Sequence, residues 1–298
     1  MSEIFSWLKR SELKRQDHVS DFMAKSANSQ LLHSHGKPGQ PDPPHAVPIP
    51  APEIEEAKSA GSFDFERADP RIRAGTDPFS LTGEQFRLLR AKLLLMQRQR
   101  GTKTVLVTSS IPDEGKTFTA CCLAVVLAQE PGKRTLLVEA DLRRPKASRN
   151  LGLLNPERFG GLSGILRGDT RLEDTLLSSL NGALFLLPAG SVPPNPSELL
   201  SNQRLEGSIK RLTELFDWLV IDSPPALSIA DPTLIVPHCD ATLLVVRANR
   251  TPSKLITESI DRVGREKICG VVMNRVSRIM SSRYYYRYYH KSGKPPKK

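Results

Sequence analysis

Tyrosine is absent from almost the whole of this 298-residue chain: all five, Tyr284, Tyr285, Tyr286, Tyr288 and Tyr289, stand in the stretch SRYYYRYYH near its end. Five rings within six positions point in every direction of a helix or to both faces of a strand. With no aliphatic partner among them, a core role is excluded and a displayed cluster is expected. Acidic residues are missing from Lys267 onward, whereas Arg275, Arg278, Arg283, Arg287, Lys291, Lys294, Lys297 and Lys298 keep that segment cationic. Cysteine is scarce. Cys121, Cys122, Cys239 and Cys269 have no C-x-x-C spacing, and the first two are neighbours in a helical pattern where their side chains diverge. That excludes a disulfide framework or zinc site and leaves reduced cytosolic thiols as the expectation. His33, His35, His45, His238 and His290 show no ligand pattern either. No apolar run reaches the ~18 to 20 residues of a membrane-spanning helix, and the opening MSEIFSWLKRSEL lacks the apolar core and cleavage site of a signal peptide. A soluble, cytoplasmic protein is expected.

Positive charge, by contrast, is abundant. A formal net charge of +11 points to anionic partners, with nucleic acid, a membrane surface and phosphate-bearing ligands all open. Pro38, Pro41, Pro43, Pro44, Pro48, Pro50 and Pro52 crowd fifteen positions and predict an extended linker. Ahead of it, Ile4, Phe5, Trp7 and Leu8 beside Lys9, Arg10, Lys14 and Arg15 allow two readings: a basic amphipathic helix that docks on a membrane or partner, or a frayed helix without a role. From Leu81 the pattern changes, with Leu81, Phe86, Leu89, Leu93 and Leu94 recurring at helical spacing.

Apolar runs of strand length then alternate with helical stretches: TVLVTS (104–109), TLLVEA (135–140), ALFLLPA (183–189), WLVIDS (218–223), ATLLVVRA (241–248) and CGVVMN (269–274). Strands apolar throughout are covered on both faces, so the expected fold class is α/β, a three-layer sandwich around a mainly parallel sheet. The expected organisation is a poorly ordered leader and linker over 1–77, a folded domain over 78–278 and a flexible tail over 279–298.

The first of these strands ends in SSIPDEGKT, followed by helical FTACCLAVVLAQ. A tight strand-to-helix loop closing in Gly-Lys-Thr turns backbone N–H groups and a helix N-terminus toward phosphates; Lys116 neutralises β/γ charge and the Thr117 hydroxyl faces Mg²⁺. This is a P-loop in which Ser110 replaces the usual first glycine. Asp113, Glu114, Gly115, Lys116, Thr117 and Phe118 are its candidate nucleotide-binding residues. Asp222, closing the apolar run WLVID, stands where such sheets place ligand chemistry and orients the metal shell. Glu139 and Asp141 in LLVEADLRRP share one edge through their two-residue spacing, which suits one to metal and one to deprotonating a hydroxyl. The candidate catalytic set is Lys116, Glu139, Asp141 and Asp222, and the candidate metal set is Thr117, Asp141 and Asp222.

SSIPDEGKT, EADLRRP and VIDSPP, in this order and at strand ends, resemble the Walker A, Walker A′ and Walker B elements of the bacterial tyrosine kinases, the BY-kinase family. The resemblance runs from about Asp77 to Asn274, takes in AGSVPPNPSELL, and extends to the terminal tyrosine cluster. Two positions depart from it: the family commonly has Gly at the place of Asp113 and Asp at that of Glu139. The competing class, partition and division-site ATPases, carries a lysine early in its P-loop where this chain has Ile111.

The resemblance implies a P-loop kinase domain, ATP and Mg²⁺ as cofactors, and autophosphorylation in trans of Tyr284, Tyr285, Tyr286, Tyr288 and Tyr289. It implies nucleotide contacts from Arg247 and Asn274, and a ring-shaped homo-oligomer whose interface carries Glu84, Arg87 and Arg90 of EQFRLLR. It further implies a role in capsular or exopolysaccharide polymerisation and export. With no membrane-spanning segment here, a transmembrane activator or chain-length regulator on a separate chain is implied, holding the protein at the inner face of the plasma membrane. No nucleic-acid partner is implied, although arginines interleaved with tyrosines also suit single-stranded nucleic acid. The cationic tail is drawn to a crevice rich in carboxylate and phosphate; each phosphate added to it contributes about −1.5 to −2 of charge and weakens that attraction.

Overall fold

The structure, a computed structural model, describes residues 60–276, so the basic N-terminal segment, the proline-rich linker and the tyrosine cluster lie outside the described residues. The strands are β1 (Gly61–Ser62), β2 (Thr104–Ser109), β3 (Thr135–Glu139), β4 (Leu177–Ser179), β5 (Leu184–Leu187), β6 (Trp218–Asp222), β7 (Ala241–Arg247) and β8 (Ile268–Asn274). The helices are α1 (Pro70–Thr76), α2 (Leu81–Arg100), α3 (Lys116–Ala128), α4 (Ala147–Asn150), α5 (Gly161–Arg167), α6 (Pro196–Leu200), α7 (Gln203–Leu215), α8 (Asp231–Ile235) and α9 (Ser253–Val263).

All six apolar runs are strands, β2, β3, β5, β6, β7 and β8, in a sheet of order β1-β4-β5-β3-β6-β2-β7-β8. Every neighbouring pair is parallel except β4 with β5. Side chains alternate between two cores, as the pleat requires. Val105, Val107, Leu137, Trp218 and Val220 face α3, whose Leu123 and Leu127 are fully buried, while Leu106, Leu136, Val138, Leu219 and Ile221 face the opposite cluster with Leu162 and Leu166 of α5 and Leu205 and Leu212 of α7. Each fully buried leucine contributes about 1.5–3 kcal/mol. The arrangement is a three-layer sandwich, as expected.

The ordered fold begins earlier than the expected boundary at residue 78. Phe63, Ala68 and Ile72 are buried, and Gly61 and Ser62 pair in parallel with Leu177 and Ser178. Asp69 caps α1 by accepting from the Arg71 backbone N–H at 2.8 Å, with Pro70 in the first turn. The prolines that predicted a linker end at Pro52; beyond them, apolar residues are spaced too irregularly to show a period, although they pack.

β2 lies between β6 and β7, and the connection from β6 to β7 carries the chain from one side of it to the other. The C-terminal ends of β2, β6 and β3 therefore open onto one crevice. This edge carries the P-loop, Asp222 and Asp141.

Candidate active site

The P-loop is fastened from below and from the side. Ser109 Oγ donates to the Ile111 carbonyl at 2.9 Å, and Thr108 Oγ1 donates to the Pro224 carbonyl at 2.7 Å, joining the loop to the segment after β6. Glu114, proposed from sequence as a nucleotide contact, is buried and turns its carboxylate inward. It accepts from the Ile111 N–H at 2.9 Å, the Arg247 N–H at 3.3 Å and the Thr251 hydroxyl. Its side chain therefore braces the loop. Asp113 and Gly115 sit at φ 65° and 98°. A Cβ on Gly115 would come within 1.9 Å of Asn274 Nδ2, which donates to the Glu114 carbonyl at 2.9 Å. Glycine is required here both for its backbone and for the room.

Asn274 and Arg247 are thus brought to the loop, Asn274 by its side chain and Arg247 by its backbone N–H. The ring of Phe118 points elsewhere, packing edge-on against Phe86 of α2 with centroids 6.2 Å apart. Lys116 opens α3. Its Nζ donates to Asp141 Oδ2 at 2.8 Å and to Thr117 Oγ1 at 3.2 Å, and lies 3.8 Å from Asp222 Oδ1. Burial works to lower its pKa, but the charges of Asp222 and Asp141 outweigh it and hold the ammonium above the ordinary lysine range.

Asp222 is fully buried, and neither carboxylate oxygen has a hydrogen-bond partner among the described residues. Burial raises its pKa to about 6; Lys116 pulls it down and Asp141 pushes it up. Carboxylate oxygens buried beyond hydrogen-bond distance of any described donor have the chemistry to take a cation. Among the described residues no group of three or more His, Cys, Asp or Glu is placed to hold a metal ion. Asp141 and Asp222, both at Lys116, form a donor set that fits Mg²⁺, which takes one or two carboxylates and completes its shell with water and phosphate oxygens.

Glu139 stands opposite Asp222 in the β3–β6 register, but its carboxylate is occupied. It accepts from the Ser148 N–H at 3.2 Å, the Ser148 hydroxyl and the Ala189 N–H at 3.1 Å. Those bonds give it a bracing role that sequence reasoning did not assign. Three further residues were missed. Asp231, fully buried, pairs with Arg143 at 2.8 Å and accepts from Ser197 Oγ at 2.5 Å, and Arg143 also donates to Ser197 at 2.8 Å. This knot ties the loop after Asp141 to α6 and α8; an Asp-Pro pair opening a short helix was its only sequence signal.

On α2, Glu84 and Arg87 contact one another, and Arg90 donates to the Val126 carbonyl at 2.9 Å. All three lie on one helix face, but Arg90 is committed within its own chain. The five tyrosines lie outside the described residues.

Residues 105–295 match the CobQ/CobB/MinD/ParA nucleotide binding domain. The chain is 32% identical over 222 residues to tyrosine-protein kinase YwqD of Bacillus subtilis, covering 74% of this chain and 92% of that relative. It is also 32% identical over 221 residues to tyrosine-protein kinase wzc of Salmonella typhimurium, of which it spans only 30%. The kinase domain of Escherichia coli tyrosine kinase ETK superposes with a TM-score of 0.64 at 29% identity, covering 70% of this chain and 81% of that one. With its P-loop lysine held between carboxylates from two neighbouring strand ends, the chain belongs to the bacterial tyrosine kinase family.

Proposed function

We propose that this chain is an ATP- and Mg²⁺-dependent protein-tyrosine kinase that phosphorylates the Tyr284–Tyr289 cluster of a neighbouring copy. The observation that carries the reading is the convergence of Asp141 and Asp222 on Lys116 at the mouth of a P-loop. Thr117, Asp141 and Asp222 would hold the Mg²⁺, which supplies charge neutralisation across the β- and γ-phosphates. Lys116 and the backbone N–H groups at the start of α3 hold the phosphates in line. In the transfer, the phenolic oxygen bonds to the γ-phosphorus as the bond to the β–γ bridging oxygen breaks. ADP leaves with that electron pair and the phenolic proton is released to solvent.

Further parts of the reading rest on the family. The α2 face carrying Glu84, Arg87 and Arg90, on which Glu84 and Arg87 already contact one another, meets a neighbouring subunit of a ring, and Arg247 and Asn274 approach the nucleotide. Phosphorylation reverses the tail's charge and loosens the assembly. The protein works in capsular or exopolysaccharide polymerisation and export, on the cytoplasmic side of the membrane, through a transmembrane chain-length regulator on a separate chain. Among the described residues no helix is long and apolar enough to cross a membrane.

Mass spectrometry after incubation with ATP and Mg²⁺ tests the activity: phosphotyrosine on the wild type and none on Lys116→Met. Equal phosphorylation of the two, or none on the wild type, refutes it.

A further inference from the structure

Three arginines meet at one corner of the sheet edge, where β7 and β8 end. Arg247 closes β7 and pairs in register with Asn274, which closes β8 one residue before Arg275; Arg250 stands in the turn after β7. Backbone hydrogen bonds fix the corner. The Ala248 N–H donates to the Asn274 carbonyl at 2.9 Å, the Arg250 N–H to the Arg247 carbonyl at 3.3 Å, and the Arg275 N–H to Asn274 Oδ1 at 2.8 Å. We propose that this corner is a phosphotyrosine site, and that it holds the phosphorylated Tyr284–Tyr289 segment of the same chain. The site rests on the kinase reading, because that activity makes its ligand.

The three side chains carry like charge with no carboxylate to balance it. Arg71, Arg143 and Arg167 each have an aspartate at 2.6, 2.8 and 2.6 Å. Among the described residues, Arg247, Arg250 and Arg275 make no ion pair, and the charge of Asp113 acts on Arg247 only from farther away. Arg247 is half-buried, whereas Arg250 and Arg275 are exposed. Burial, followed by the charges of Arg275 and Arg250, holds the Arg247 guanidinium below the ordinary arginine range. An anion at the corner relieves that repulsion, and the planar arginine fork matches phosphate oxygens two at a time.

ATP does not meet this need. With its phosphates at Lys116 and the start of α3, the end of the nucleotide turned toward Asn274 is the uncharged nucleoside. The tail supplies the missing charge only after modification. It has no acidic residue, so the unmodified segment is repelled by the corner, while each added phosphate brings about −1.5 to −2 of charge. Tyr284 follows Arg275 by nine residues, a reach of at most about 30 Å. A tether this short makes docking intramolecular, at an effective concentration on the order of mM. A tail held here is withdrawn from neighbouring copies, and it lies against residues that brace the P-loop: Glu114 accepts from the Arg247 N–H, and Asn274 donates to the Glu114 carbonyl.

Fluorescence anisotropy with labelled peptides of residues 281–291 tests the site on full-length Lys116→Met, whose own tail stays unphosphorylated. The peptide phosphorylated on all five tyrosines is expected to bind at least ~10-fold more tightly than the unmodified peptide or one with glutamate at the same positions. Arg250→Gln with Arg275→Asn should weaken that binding at least ~10-fold, asparagine being chosen because it tolerates the φ of 54° at position 275. Arg250→Gln alone, at an exposed turn position, should weaken it at least ~3-fold. With Lys116 retained, the double variant should keep the wild-type Tm and bind Mg-ATP within about twofold of wild type. Autophosphorylated wild type, its corner filled by its own tail, should take the phosphopeptide at least ~10-fold more weakly than Lys116→Met does. Phosphopeptide binding that is indifferent to the arginine substitutions, matched by the glutamate peptide, or lost in step with Mg-ATP binding overturns the site. Equal capture by the autophosphorylated and unphosphorylated chains overturns docking within one chain. Each of these results leaves the kinase reading standing, whereas no phosphotyrosine on the wild type after incubation with Mg-ATP overturns both.

Discussion

Replacing Asp222 by Asn should change the stability of the nucleotide-free protein in a pH-dependent way. The carboxylate is fully buried, and its pKa rises from 3.8 to about 6, chiefly through burial, which outweighs the pull of Lys116. The folded state therefore holds this proton more tightly than the unfolded chain does. Stability contributed by the protonated form is complete below about pH 4 and is lost as pH rises through about 6. A shift of roughly two units at 1.36 kcal/mol each makes the loss ~3 kcal/mol. Asparagine cannot ionise, so its own fixed cost of burying an amide cancels when the variant is compared with itself across pH. The stability difference, variant minus wild type, should move in favour of the variant by about 2–3 kcal/mol between about pH 4 and pH 8. For a folded unit of this size that is roughly 5–10 °C in Tm. Thermal melts of both proteins without Mg²⁺ or nucleotide, at several pH values, give the number. A difference flat with pH would refute the reasoning, because it would mean that Asp222 ionises in the fold as readily as in water. Adding Mg-ATP should then raise the Tm of the wild type and leave the variant nearly unmoved, since ligand stabilisation follows binding to the native state.

Two other substitutions probe the scaffold around the centre. Gly115→Ala should lower Mg-ATP affinity at least ~10-fold by calorimetry, because its Cβ has to displace the Asn274 amide and the φ of 98° disfavours any side chain. Asp231→Ala should destabilise the fold by about 1–3 kcal/mol in urea, a range set below that for a fully buried ion pair because the Arg143 side chain is 38% exposed and recovers solvent. It should also slow transfer more than it weakens Mg-ATP binding, since the knot holds the loop that carries Asp141.

Much of the fold was legible because its signals are local and strong. Six continuous apolar runs gave six strands, since strands buried on both faces need no alternation to be recognised. β4 was not legible: three residues at the antiparallel turn of the sheet carry no period, and their pairing with β5 is fixed by tertiary contacts. Residues 60–77 were hidden for a related reason, because a two-residue strand and a seven-residue helix are too short to show periodicity although Ile72 is buried. In the site, the positions of Lys116, Asp141 and Asp222 followed from motif and strand end together. The partners of Glu114 did not. Arg247 closes β7 and Thr251 lies in the loop after it, both more than 130 residues away in sequence, and nothing in PDEGKT reveals that its glutamate turns inward.

Glu139 shows how a departure from the family pattern has a structural cause within this chain. Glu139, the last residue of β3, and Asp141 just beyond it alternate with Ala140 and Leu142, which are buried in the opposite core, so the two carboxylates share a side and have separate partners. Asp141 meets Lys116, Arg143 is tied to Asp231, and Glu139 reaches across to α4 and to Ala189. α4 has only four residues and follows Lys146, which offers no side-chain cap. Its early N–H groups need an acceptor from elsewhere, and Glu139 supplies one to Ser148. The aspartate usual in the family is shorter by about one methylene and would reach less far toward Ser148 and Ala189 together, so the longer side chain suits the bracing role. Phosphoryl transfer through a loose transition state demands little of a base and much of position. Bracing the end of β3 against α4 and the segment after β5 is a contribution of geometry, made at the strand end that leads directly to Asp141.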